Sequence, residues 1–188
     1  MSAWTPAPVF QEFVDVLTLA ASAHALALSG IRREREFWAA AVLSPTVPET
    51  TAESTVSIGV GAPQDGDSVT YARWRLGDLP EALAEGGPMM AVISQQWAIS
   101  VFTDWDVRYR KRITEAMGAD KLLNLPEFGD LRHFRNDIVH HRGVASERNT
   151  GRCEVLSHWF EVGDVLYFDV WKVAEFMQRL AIAIPIQS

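Results

Sequence analysis

Residues 89–117 read MMAVISQQWAISVFTDWDVRYRKRITEAM, and this stretch decides the fold class. Large apolar side chains recur in it at every fourth position, namely at Ile93, Trp97, Val101, Trp105, Tyr109 and Ile113. Residues four apart lie on one face of an α-helix, so the pattern predicts a long helix with a buried ridge. Gly118 follows directly and is typical of a helix end.

The flanking segments extend the helical prediction in both directions. Residues 9–43 carry apolar side chains at helical spacing, with a kink or division predicted at Ser29-Gly30. Pro126 is placed to start a helix that reaches about residue 141, before Gly143. A last helix is predicted over residues 170–184, before Pro185. These elements predict a mainly α protein, an antiparallel helical bundle.

Two short segments have the alternating, β-branched character of strands. Residues 55–60 (TVSIGV) and 69–76 (VTYARWRL) flank a run of turn-forming residues at 62–67, which predicts a β-hairpin inserted at about residues 52–77. Residues 154–160 and 165–168, separated by 161–164, predict a second short hairpin. With 188 residues, the chain is expected to form a single domain that carries these additions.

Composition narrows the class of protein. Cys153 is the only cysteine, which excludes an intrachain disulfide framework and a cysteine-based zinc site. The amino terminus lacks the basic start and apolar core of a signal peptide, and no apolar run is expected to be long enough to span a bilayer. We therefore expect a cytoplasmic protein with no membrane partner.

The chain has a net charge of −7, but its charged residues are unevenly distributed along the sequence. Residues 1–107 contain five Lys or Arg against thirteen Asp or Glu, and residues 149–188 contain three against five. Residues 108–148 contain nine against six, so they form the net-basic part of an acidic chain. A local basic region of this kind favours a polyanion, although the cations of residues 108–112 also suit the carboxyl end of a helix.

The basic region contains residues 135–143, which read RNDIVHHRG. On a helical wheel, the apolar stripe of this helix consists of Leu131, Phe134 and Ile138. Asn136 and His140 point away from that stripe and share one face. A functional His140 would therefore need a second wall, supplied by another helix or another subunit.

An arginine, an asparagine, three further residues and a histidine, in the order Arg135 to His140, resemble the Arg-x4-His motif of the HEPN superfamily (higher eukaryotes and prokaryotes nucleotide-binding domains). Residues 105–112 (WDVRYRKR) resemble the aromatic and basic end of the preceding helix in bacterial members, and residues 130–134 (DLRHF) resemble the approach to the motif. The resemblance covers about residues 91–145.

This resemblance implies a HEPN-like bundle and a homodimer, in which two copies of the motif line one composite cleft. It implies a metal-independent endoribonuclease without a cofactor, in which the RNA 2′-OH attacks the adjacent phosphate to give a 2′,3′-cyclic phosphate and a 5′-OH. The setting that it implies is a toxin–antitoxin or phage-defence system, with an antitoxin or a nucleotidyltransferase as a further partner.

The residue types suit these roles. His140 is expected to transfer a proton, Arg135 to bind phosphate oxygens, and Asn136 to orient His140 or to donate to the phosphate. Asp104 or Asp106 could hold an arginine, and Asp106 is also spaced to pair with an arginine of its own helix. The residues expected to bind substrate are His141, Arg142, Arg110 and Arg112.

Three other interpretations stay open. The motif residues could simply cap a helix end. The protein could keep the HEPN-like fold as a catalytically inactive nucleotide-binding, RNA-binding or protein-interaction module. It could also be a helical partner-binding protein unrelated to that family.

Overall fold

The computed structural model describes residues 8–43, 51–60, 69–119 and 123–183. Helices dominate these residues, which confirms the prediction of a mainly α protein. The α-helices are α1 (Pro8–Leu43), α2 (Leu79–Ala82), α3 (Pro88–Thr103), α4 (Arg110–Ala116), α5 (Pro126–His140), α6 (Glu147–Thr150) and α7 (Val170–Ala183). The strands are β1 (Thr55–Val60) and β2 (Val69–Arg75). The chain forms two compact units: unit 1 comprises residues 1–28 and 91–188, and unit 2 comprises residues 29–90.

Unit 1 is built around aromatic side chains. Its fully buried phenylalanines are Phe13, Phe128, Phe134, Phe168 and Phe176. They come from α1, α5, the segment before α7, and α7 itself, so one cluster joins the main elements of the unit. Complete burial of such a side chain contributes roughly 1.5–3 kcal/mol, which makes this cluster the main source of stability of unit 1.

The long helix predicted over residues 89–117 is present but not uniformly α-helical. Residues Asp104–Tyr109 between α3 and α4 are π-helical, and the Arg110 N–H donates to the carbonyl of Trp105, five residues back. In a regular α-helix, side chains four residues apart differ in direction by about 40° around the helix axis. The directions of the ridge side chains from Trp97 to Ile113 would therefore span about 160°. The wider π turn takes up one extra residue and reduces this spread to about 80°.

Burial along the ridge agrees with this geometry. The five ridge residues from Trp97 to Ile113 are at most 5% exposed, whereas Ile93, at the start of the ridge, is 38% exposed. The helix then ends as predicted, because Gly118 adopts a left-handed backbone with φ of 63°. The sequence pattern therefore identified the buried face correctly, but it did not reveal the π turn that aligns it.

The helix α5 begins at Pro126, as predicted, and ends at His140. Leu131 and Phe134 of its predicted apolar stripe are buried, and Ile138 packs against the same core. The stripe prediction is confirmed, and it fixes the direction in which the opposite, polar face of α5 points.

The second predicted hairpin, over residues 154–168, is wrong. The N–H groups of Glu154, Val155 and Leu156 donate to the carboxylate of Asp130, at 2.7–2.8 Å, instead of to a neighbouring strand. Residues Ser157–Trp159 then form a 3₁₀ turn, and Val165 makes only an isolated bridge with Val144. The apolar residues that this segment buries in the core of unit 1, from an irregular backbone, are Leu156, Trp159, Phe160, Leu166 and Phe168.

The first predicted hairpin is confirmed in unit 2. Strands β1 and β2 pair in antiparallel register, with an irregularity between Ile58 and Gly59. A Cβ atom at Gly59 would collide with the carbonyl oxygen of Val69, so the close approach of the strands there requires glycine. The turn predicted at residues 62–67 lies outside the described residues. Beside the hairpin, unit 2 has a small core whose buried members are Leu76, Leu79 and Leu83.

The helix α1 is continuous from Pro8 to Leu43, with no interruption at Ser29-Gly30. It is long and apolar enough to cross a membrane by length and composition, and 17% of its most apolar window is buried. The expectation that no apolar run is long enough to span a bilayer is therefore wrong by this criterion, which mostly buried core helices and amino-terminal signal sequences also meet. The expectation of a cytoplasmic protein without a membrane partner stays a prediction. The residues that α1 buries in unit 1 include Phe10, Phe13 and Leu17.

Candidate functional site

The polar face of α5 and the short helix α6 line a solvent-open pocket of about 300 Å³. We call it the polar pocket, and it is lined by Arg132, His133, Asn136, His140, His141, Arg148, Asn149 and Arg152. All of these residues belong to unit 1. The pocket therefore combines three residues of the RNDIVHHRG stretch with residues 148–152, a segment in which the sequence predicted no helix.

One wall of the polar pocket follows directly from the helical repeat of α5. Arg132, Asn136 and His140 are spaced four residues apart, so they lie in a row along one face of the helix. This is the face opposite the buried stripe, as the helical wheel indicated. The second wall that His140 requires is present within the same chain.

That second wall is α6 and the turn that follows it. Ser146 is the N-cap of α6, since its hydroxyl accepts a hydrogen bond from the Asn149 N–H. Arg148 and Arg152 are exposed, whereas Asn149 between them is only 6% exposed. The two guanidinium groups therefore flank a buried amide at the edge of the pocket.

The pocket has the electrostatic character of an anion site. Its lining combines three arginines and three histidines with two asparagines, and no carboxylate is among the described lining residues. Across the described segments, Arg132, Arg148 and Arg152 have no acidic partner in an ion pair. Guanidinium groups present planar pairs of N–H donors that match phosphate oxygens, so the arrangement suits a phosphate group.

The end of α5 is held in a fixed shape. The N–H groups of His141 and Gly143 both donate to the carbonyl of Asp137, and Arg142 between them adopts a left-handed backbone with φ of 56°. Gly143 also has a positive φ, and a Cβ atom there would collide with the side chain of Gln95. These contacts explain why the helix ends here and why glycine follows the motif.

The side chain of Asp137 is fully buried behind the pocket. One of its oxygens accepts from the Ser146 N–H at 2.9 Å, and the other accepts from the Ser146 hydroxyl at 2.6 Å and from the amide of Asn149 at 2.5 Å. The Nε2 atom of His141 lies 3.9 Å from the same carboxylate. The buried carboxylate of Asp137 thus holds α6, the second wall of the pocket, against α5, the first wall.

Not all predicted site residues lie in the pocket. Asn136, His140 and His141 line it, and Arg142 lines an adjacent cavity, also of about 300 Å³, that shares both histidines. Arg135 lines neither cavity; its guanidinium group lies 3.4 Å from the Asn136 side-chain oxygen. Arg135 therefore contacts the pocket through Asn136, and the guanidinium groups that line the pocket directly are those of Arg132, Arg148 and Arg152.

The two basic residues predicted on the preceding helix are engaged elsewhere. Arg112 makes two hydrogen bonds to the carboxylate of Glu12, at 2.7 and 2.9 Å. These bonds, together with that from Tyr109, lower the pKa of Glu12 to about 2. Arg110 donates to the carbonyl of Leu123 at 2.9 Å, and it pairs with Asp106 at 3.7 Å, which confirms the pairing within the helix.

Arg110 lines a small cavity of about 70 Å³ that adjoins the polar pocket. Arg110 and Asn124 line it, and so does Arg132, which also lines the polar pocket. Arg110 is therefore connected to the pocket through Arg132, whereas Arg112 lies outside both cavities.

The sequence did not indicate five of the residues that line the pocket, nor Asp137 behind it. The five lining residues are Arg132, His133, Arg148, Asn149 and Arg152. One signal for Asp137 was available, because Asp130 and Asp137 are seven residues apart and lie beside the apolar stripe of α5. Two carboxylates on a nearly buried face indicate that hydrogen-bond donors come from elsewhere. Arg148 and Arg152 had no such signal, since a four-residue helix and the turn after it have no periodicity to detect.

Two further features bear on the chemistry of the site. No cluster of three or more His, Cys, Asp or Glu side chains that could hold a metal ion is present among the described residues. Cys153 is half-buried, and burial, together with the charges of Asp130 and Asp137, raises the pKa of its thiol to about 12. A thiol of this kind is unreactive at neutral pH.

Comparisons of the chain with protein-family models, curated proteins and solved structures give no match.

Proposed function

We propose that the polar pocket binds the phosphodiester backbone of RNA and that the protein is a metal-independent endoribonuclease of the HEPN type. One observation carries this proposal: three guanidinium groups meet Asn136 and His140 in a pocket without a described carboxylate in its lining. Such a pocket favours a phosphate, and it contains an imidazole that can act as a general base or acid.

The reaction needs a base and an acid on opposite sides of one phosphate. The imidazole of His140 takes the proton of the 2′-OH, and the 2′-oxygen forms a bond to phosphorus while the bond from phosphorus to the 5′-oxygen breaks. His141, in the same pocket, supplies the proton to the departing 5′-oxygen. The products are a 2′,3′-cyclic phosphate and a 5′-OH.

The arginines of the pocket stabilise the charge that develops on the phosphate. Their donors bind the non-bridging oxygens, where negative charge increases as the bond to the 2′-oxygen forms. Asn136 precedes His140 by one helical turn and can orient its ring or donate to the phosphate. In this proposal Arg135 contributes from the neighbouring face of α5, across the cleft of a homodimer in which two pockets meet.

A second candidate is favoured by the position of Arg135. The resemblance assigns this residue to catalysis, but it does not line the polar pocket. A protein with an intact phosphate pocket and a displaced catalytic arginine would bind RNA or nucleotides without cleaving them. The cellular setting in toxin–antitoxin or phage-defence systems is compatible with either activity.

The test uses the purified protein, a single-stranded RNA oligonucleotide labelled at its 5′ end, and excess EDTA. We expect cleavage that stops where a single 2′-deoxy nucleotide replaces the cleaved position, and a product that carries a 2′,3′-cyclic phosphate. His140→Ala should slow the reaction by about 10²- to 10⁴-fold, as is typical of a lost acid–base group. The matched control is His158→Ala, an exposed histidine that pairs with Glu175 outside the pocket.

The outcomes separate the candidates. Binding of RNA without cleavage would support the binding module and contradict the nuclease. Cleavage that survives His140→Ala would contradict the assignment of the site. Loss of activity on Arg135→Ala, with wild-type RNA affinity and wild-type dimerisation, would support its action across a dimer cleft.

A further inference from the structure

We propose that Asp137 is a positioning residue: its buried carboxylate holds α6 against α5, so that Arg148 and Arg152 face the same phosphate as His140. This inference rests on the proposed function, because it explains how the chain assembles the two walls of the polar pocket. Asp137 itself does not line the pocket.

The carboxylate of Asp137 accepts hydrogen bonds from three donor groups. They are the Ser146 N–H at 2.9 Å, the Ser146 hydroxyl at 2.6 Å and the Asn149 side-chain amide at 2.5 Å. All three come from the N-cap and first turn of α6. Because the hydroxyl of Ser146 gives its proton to Asp137, its lone pairs remain free to accept the Asn149 N–H, at 3.4 Å.

The helix α6 is too short to be stable on its own. This helix comprises four residues, Glu147–Thr150. An isolated helix of one turn is unstable in water, because it forms too few hydrogen bonds to repay the ordering of its backbone. The direction of α6 therefore depends on its contacts with the rest of unit 1, and its N-terminal contacts converge on Asp137.

Asn149 links Asp137 to the lining of the polar pocket. Asn149 is 6% exposed; its amide binds Asp137, and the residue also lines the polar pocket. Arg148 precedes it by one residue, and Arg152 follows it by three. The position of Asn149 therefore sets where both guanidinium groups reach the pocket.

The substitution Asp137→Asn tests this role with little change of shape. The new side chain keeps one acceptor oxygen but turns an NH₂ group toward a donor that the carboxylate accepted. Because the site is fully buried, water cannot replace the lost acceptor. We expect α6 to lose its fixed direction while the aromatic core of unit 1 remains folded.

The chain offers a matched control in Asp130→Asn. Asp130 lies on the same helix, is 1% exposed, and accepts three N–H groups, those of Glu154, Val155 and Leu156. None of those three residues lines the polar pocket. The control therefore removes a comparable buried acceptor without removing the anchor of α6.

The probe is a fluorescein-labelled 2′-O-methyl RNA 12-mer, which binds but cannot be cleaved, and its affinity is measured by anisotropy over a range of KCl concentrations in EDTA. Each lost arginine–phosphate contact should reduce the slope of log K against log [salt] by about 0.7. We expect Asp137→Asn to bind about tenfold more weakly or worse, with a smaller slope, whereas Asp130→Asn should keep the wild-type slope.

A merely structural role would not produce the next result. Arg148→Gln should reduce the affinity and the slope in the wild type and in Asp130→Asn, but it should change little in Asp137→Asn, because Arg148 has already left the pocket. If Arg148→Gln costs the same in all three backgrounds, the positioning role is overturned and the phosphate pocket stands.

Hydrogen exchange separates the failure of this inference from that of the proposed function. If the wild type does not bind the 12-mer, the proposed function fails, and the positioning role is decided by the amide exchange of residues 146–152. Faster exchange there in Asp137→Asn, with unchanged exchange in α3, supports the anchor; unchanged exchange overturns it. Should Asp137→Asn unfold, Ser146→Ala removes one of the three donors and is expected to give a smaller change in the same direction.

Discussion

The buried imidazole of His24 ties α1 to the segment before α7. Its Nε2–H donates to the carbonyl of Phe168 at 2.8 Å, and its side chain is 4% exposed. The Nδ1 atom is buried and has no hydrogen-bond partner in the described segments. Burial lowers the pKa of His24 below its ordinary value of 6.5, against smaller raising effects from Phe168 and the charge of Asp169.

This single residue gives unit 1 a predictable dependence on pH. Since the pKa of His24 is lower in the folded state, the unfolded chain takes up a proton first as the pH falls. The stabilisation is complete above the unfolded pKa of about 6.5 and is lost as the pH falls below it, at a rate of up to about 1.4 kcal/mol per pH unit. We expect His24→Gln to weaken this loss, measured as the free energy of unfolding in urea between pH 7.5 and pH 5.5.

The control for that measurement is His158→Gln, since His158 is exposed and pairs with Glu175. It should leave the loss of stability below pH 6.5 in place. An equal pH dependence in His24→Gln and in the wild type would show that the acid sensitivity arises from other groups.

At the scale of elements, the π-helical segment Asp104–Tyr109 is the least expected feature of the fold. A π turn behaves as one residue inserted into an α-helix, and it places the residues before and after it on a common face. Val107 lies within this segment and is 74% exposed. The segment therefore contains one residue more than the helix needs in order to align its buried ridge.

We expect deletion of Val107 to be tolerated. The helix would become regular, and Tyr109 and Ile113 would keep their direction toward the core, because the lost residue contributed no net rotation. The free energy of unfolding should change by about 1 kcal/mol or less, within the range of ordinary surface changes. Deletion of the exposed Ser100 in α3 is the control: it rotates everything after it by about 100° and should unfold unit 1.

Urea unfolding and circular dichroism of the two deletion variants decide between the accounts. If both deletions unfold the protein, the π turn is needed for a reason other than alignment. If both are tolerated, the ridge does not depend on its register.

The sequence determined the elements whose signals are local. Pro126 and Gly118 marked a helix start and a helix end, and alternation marked β1 and β2. The wrong prediction of a second hairpin has a non-local cause, because the backbone there depends on a distant partner. Residues 154–156 have the sequence pattern of a strand, but their N–H groups donate to the carboxylate of Asp130, which lies on another element.

The residues of the candidate site also fall into two groups, one placed by local sequence and one placed by a distant partner. The direction of Asn136 and His140 follows from the 100° repeat of one helix, so the sequence alone predicted it. The positions of Arg148 and Arg152 follow from hydrogen bonds between α6 and the buried Asp137. Nothing in the local sequence around Arg148 indicates that partner, and for this reason half of the pocket was missed.

At the scale of the whole molecule, the two units differ in the size of their cores. Unit 1 buries a continuous cluster of aromatic and aliphatic side chains that includes Phe128, Leu131 and Phe176. The buried cluster of unit 2 consists of Leu76, Leu79 and Leu83, with partly buried neighbours. Because buried apolar area is the main source of stability, unit 2 is expected to open at a lower free energy than unit 1.

Two leucine truncations are expected to affect the two units differently. Leu79 is 2% exposed in unit 2, and Leu131 is fully buried in unit 1 behind the polar pocket face of α5. Each truncation to alanine should cost about 2–5 kcal/mol, because it removes buried apolar atoms and leaves a cavity.

We expect Leu79→Ala to accelerate amide exchange mainly within residues 51–60 and 69–83 and to leave binding of the 2′-O-methyl RNA 12-mer unchanged. Leu131→Ala should accelerate exchange in α5 and abolish binding. Loss of RNA binding in Leu79→Ala, with normal exchange in α5, would mean that unit 2 takes part in binding RNA directly.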